Sequence, residues 1–74
     1  MGKKLTQAEF EAVDDGLSAA LRATRPGTPE RTAVEARRAI WEAAIALPDR
    51  TWAQREERLA AIAEAAAKIA AVQS

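Results

Sequence analysis

The chain has 74 residues, enough for one small domain, and its 11 basic residues are balanced by 11 acidic ones. A formal charge of zero removes the overall basic bias that draws proteins to nucleic acid or to anionic membranes. With no Cys and no His, disulfides, thiolate metal sites and the commonest general base are excluded together.

Alanine supplies 20 residues, and with Glu, Arg and Leu it makes a strongly helical composition. So much Ala, with Arg far outnumbering Lys, suggests a GC-rich bacterial or phage genome. The opening MGKKLTQAEF has no apolar stretch of the kind a secretory signal needs, and no apolar run reaches membrane-spanning length, so a cytoplasmic location is expected. Gly2 with Thr6 matches the loose pattern for N-myristoylation, but Thr6 has a better structural role. Residues 1–4 are expected to be flexible.

The first helix is expected over residues 6–24. Thr6 is the N-cap and Glu9, three residues on, completes a capping box. Leu5 and Phe10 are spaced for a hydrophobic staple. Phe10, Val13, Leu17, Ala20 and Leu21 share one side of the helical wheel, opposite Glu11, Asp15, Ser18 and Arg22. Gly16 costs on the order of 1 kcal/mol in a helix and suggests close approach by another helix there.

The break RPGTPE contains the turn pair Pro26-Gly27, after which Thr28 caps a second helix with Pro29 at its first position. That helix is expected over 29–47, stopped by Pro48. Its apolar positions, from Ala33 and Val34 through Ile40, Trp41 and Ile45 to Leu47, span an arc of roughly 200°, where a little over 100° is typical. Two neighbours in a three-helix bundle do not need that much.

The third helix is expected over 51–72, opened by Thr51 with Gln54 as a second capping box, with Asp49 as a rival cap and residues 73–74 frayed. Trp52, Leu59, Ile62, Ala63, Ala66, Ile69 and Ala70 form its apolar stripe. No strand-like alternation occurs. The expected fold is therefore all-α, a single domain over 1–74 folded as a small three-helix bundle with antiparallel neighbours. A core this thin, without staples, favours a homodimer.

Two arginines interrupt the apolar arc of the second helix. Arg37 stands one turn before Trp41, with Arg38 beside Ile45 at the edge. Arg37 has three readings: a bridge to Asp14 or Asp15, a stem laid over Trp41 with its head in water, or part of an interface hot spot with the indole. Trp52 and Arg55 repeat the theme at the start of the third helix, where Trp52 is expected to cover the end of the core and Arg55 to be solvated. The expected partner-binding set is Arg37, Arg38, Trp41, Ile45, Trp52 and Arg55, centred on the second helix.

A second reading makes the last two helices a helix-turn-helix, with Thr51, Gln54, Arg55 and Arg58 at the start of the recognition helix. Glu56 and Glu57 stand against it, as does the neutral charge. Asp14-Asp15 and Glu56-Glu57 point about 100° apart within each pair and cannot share an acid site. There is no phosphate loop, nucleophile elbow or metal-ligand spacing. The sequence thus points to a small non-enzymatic protein–protein interaction module without cofactor, an adaptor, inhibitor or regulator. A DNA-binding regulator and a structural subunit of a larger assembly are the alternatives.

Overall fold

Three threonines start three helices. The computed structural model describes residues 4–73, with side chains through residue 71. In α1 (Gln7–Ala23) the Glu9 N–H donates to Thr6 Oγ1 at 3.1 Å, and the Thr6 N–H donates to Glu9 Oε1 at 3.0 Å. In α2 (Pro29–Ile45) the Arg31 N–H donates to Thr28 Oγ1 at 3.2 Å, with Pro29 at the position where its missing N–H costs nothing. In α3 (Trp52–Gln73) the Gln54 N–H donates to Thr51 Oγ1 and the Thr51 N–H to Gln54 Oε1, each at 3.2 Å. Asp49, the rival cap, is not used as one. The all-α class and the three-helix order are as expected.

Two helix ends differ from expectation. α2 stops at Ile45 rather than at residue 47, and the Leu47 N–H reaches back only to the Ala44 carbonyl, at 3.4 Å. Pro48 disfavours helical geometry in the residue before it, so the last turn tightens and ends early. α3 continues through Gln73, which was expected to fray, while residue 74 lies outside the described residues. At the other end residues 1–3 of the expected flexible segment also lie outside them, and Lys4 is tied by its Nζ to Glu56 at 3.2 Å.

The helices run back and forth. Phe10, early in α1, meets Trp41, late in α2, while Arg31, early in α2, bonds to Leu21 and Thr24 at the end of α1. The α2–α3 connector is short, and Arg58 of α3 returns to the Ile45 carbonyl at 3.2 Å. Leu17, Trp41, Ala44, Ile62, Ala65 and Ile69 form the buried core, with Leu5, Phe10 and Val13 packed against it. Leu5 and Phe10, the two members of the staple, line one cleft with Ile62.

α2 is the shared element. It packs extensively on both α1 and α3, whereas α1 and α3 approach one another only weakly. The third seam of the bundle is consequently open along much of its length. The molecule measures 41 × 21 × 17 Å with a radius of gyration of 13.1 Å, against about 11 Å for a compact chain of this length.

Gly16 does not mark a close approach: a Cβ placed there meets nothing within 4 Å. It faces the open seam. Gly27 does have a conformational role, with φ at +85° in the turn between α1 and α2.

Candidate functional site

Trp41 is inside the protein, not on a surface. Only 1% of it is exposed, and its ring lies 5.1 Å from that of Phe10, tilted by 47°. Trp41, the centre of the expected partner-binding set, is therefore not itself presented on the surface of the folded chain. Its position late in α2, on the helix that packs against both α1 and α3, gives the indole enough neighbours to cover it.

Arg37 is half-buried beside that core, and it bridges to neither Asp14 nor Asp15. Among the described residues it makes no ion pair and no hydrogen bond, and its Nε is shielded from water without an acceptor. The Trp41 Nε1 is in the same state one turn away. No stacking between the guanidinium and the indole occurs among the described residues. Arg38 is exposed and pairs with Glu42 on its own helix at 2.8 Å. Ile45 is half-buried against the core.

Trp52 is the reverse of Trp41. It was expected to cover the end of the core, yet 74% of it is exposed. It is the first residue of α3, so its Cα–Cβ bond tilts toward the helix N-terminus, away from the body of its own helix. Arg55, in the same turn, is exposed as expected, with its Nε 3.4 Å from Asp49 Oδ1.

The residues expected to read nucleic acid all have partners within the chain. Thr51 and Gln54 spend their side chains on the cap of α3. Arg55 and Arg58 both reach Asp49, and Arg58 also donates through Nε and a terminal nitrogen to the Ile45 carbonyl, at 3.3 and 3.2 Å. Asp49, flanking the α3 start, pairs with both cations, of which Arg58 is partly covered and Arg55 stays exposed.

Sequence reasoning missed a device built from two arginines. Arg31 donates from one terminal nitrogen to the carbonyls of Leu21 and Thr24, both at 3.1 Å, closing the C-terminus of α1. Arg58 does the same for α2. In each case a cation from the next helix meets carbonyls that have no partner within their own helix, at the negative end of the helix dipole. No local spacing signals such a contact, because it depends on how the helices fold back.

It also missed the groove. Along the open α1–α3 seam, Leu5 and Val13 on one side face Ala60, Ala63, Ala67 and Ala70 on the other across about 680 Å³. A second hollow of about 200 Å³ shares Val13 and Ala70 and extends to Gly16. Ala63 and Ala70 were expected in the core, but alanine has too little bulk to fill a seam between two helices. The groove is mostly apolar, with Glu9 and Glu64 at its rims.

Among the described residues no three His, Cys, Asp or Glu side chains are grouped to hold a metal ion, and no helix is long and apolar enough to cross a membrane. Neither models of known protein families, nor curated protein sequences, nor solved structures give a match to this chain.

Proposed function

We propose that this protein is a small interaction module that acts by occupying or presenting a protein surface, as an adaptor, inhibitor or regulator, and not by catalysis. The observation that carries this reading is the exposed Trp52 on the same helix as an alanine-floored groove. Free-standing large apolar side chains and unfilled apolar hollows both mark contact sites, and Trp is among the residue types most enriched at interface hot spots. The binding surface lies on α3 and the α1–α3 seam, displaced from the α2 surface that the sequence suggested.

A photo-crosslinking amino acid at position 67, on the groove floor, tests this in living cells of the source organism. A covalent protein adduct at position 67, with none at exposed Asp15, is the expected result. The absence of any protein adduct at position 67 overturns it.

A further inference from the structure

The open seam and the free indole fit one another, and resting on the interaction reading above, we infer that a second copy of this chain closes the seam. The two α3 helices pack antiparallel about a two-fold axis, and Trp52 of each protomer enters the alanine groove of its partner.

The first argument is the open seam itself. Its lining is mostly apolar, with Leu5 and Val13 on one side and Ala60, Ala63, Ala66, Ala67 and Ala70 on the other, and the monomer leaves it unfilled.

The second argument is register. Ala63 and Ala70 lie 11 and 18 residues beyond Trp52, which places all three within about 20° of one another around α3. Knob and groove therefore share one stripe, separated along the axis by roughly 17–27 Å. A two-fold axis near Leu59 and Ala60 brings each knob to the other groove. This is the condition for a closed, isologous contact, in which residue i meets j and j meets i. The small side chains of the floor let the partner approach closely, and the walls, Leu5 and Val13, are apolar. Glu56, the one charged side chain on the stripe between knob and groove, is already answered by Lys4. A net charge of zero leaves no overall repulsion between copies.

The experiment is sedimentation velocity of the full chain from low to high micromolar concentration, with tryptophan emission followed in parallel. The expected result is reversible doubling of mass, with an emission red shift on dilution that comes from Trp52, since Trp41 is buried in the monomer. Trp52→Ala and Ala67→Trp each weaken association about thirtyfold or more. Mixing the two variants restores part of it, because one intact knob-and-groove contact forms in the mixed dimer. A monomer at every concentration overturns the inference, and so does a dimer indifferent to both substitutions. A monomeric purified chain that still gives an adduct to a different protein at position 67 overturns the dimer and leaves the interaction module standing. No adduct and no dimer overturns both.

Discussion

Phe10 and Trp41 meet ring to ring at 5.1 Å, so the largest fully buried side chain among the described residues is covered by an aromatic from the preceding helix. That contact joins α1 to α2 at the centre of the core. Trp41→Ala is expected to cost about 3–5 kcal/mol, most of the stability of a domain this small. Urea denaturation followed by circular dichroism measures it, and a melting curve unchanged from wild type would place the indole elsewhere. A double-mutant cycle with Phe10→Leu should return a coupling of about 0.5–1.5 kcal/mol.

Arg31 and Arg58 are expected to behave as end closures, not as surface charges. Each donates to carbonyls at a helix terminus with its side chain about three-quarters covered. Arg31→Met and Arg58→Met should each lower stability by about 1–2 kcal/mol. Arg58→Lys should not rescue the second, because an ammonium cannot reproduce the two-nitrogen approach to the Ile45 carbonyl. Losses that vanish at high salt would instead identify ordinary surface pairing.

Arg37 is expected to be dispensable to the fold. Its guanidinium has no partner among the described residues and its Nε is shielded without an acceptor, which costs free energy. Arg37→Met keeps the stem and removes the shielded donor, so the midpoint of unfolding should stay level or rise, by at most about 1 kcal/mol. A clear loss of stability would show that the arginine head is doing structural work through a contact the fold does not show.

The two glycines should respond in opposite directions. Gly16→Ala meets open space inside a helix and should stabilise by about 0.5–1 kcal/mol. Gly27→Ala must hold φ near +85° and should destabilise by about 1–2 kcal/mol. Thermal melts of both variants beside wild type decide the matter; equal shifts of one sign would contradict the assigned turn geometry.

What could be read from the sequence was local. The caps at Thr6, Thr28 and Thr51 are contacts across three residues, and spacing alone determines them. The two indoles were not separable in the same way. Trp41 and Trp52 both sit on apolar stripes of their helices, and the wheel gives them equal standing. Their burial of 99% and 26% follows from where each lies along the bundle: one between two helices, the other at the first residue of α3 beyond the end of α2. Arg31 and Arg58 were hidden for a related reason, since a cation that closes another helix looks the same in sequence as a cation in water. The groove escaped because helical periodicity reports which side is apolar, not whether alanine side chains suffice to fill the space behind it.

The layout of the seams also bears on how the chain folds. Both extensive seams join helices that are neighbours in sequence, and each is closed through a short turn. Such a topology has low contact order, and the search for it involves only small loop-closure entropies. Folding in the microsecond-to-millisecond range follows. During synthesis, the α1–α2 hairpin can bring Phe10 onto Trp41 while α3 is still inside the ribosome, so α3 docks onto a surface that is already half assembled.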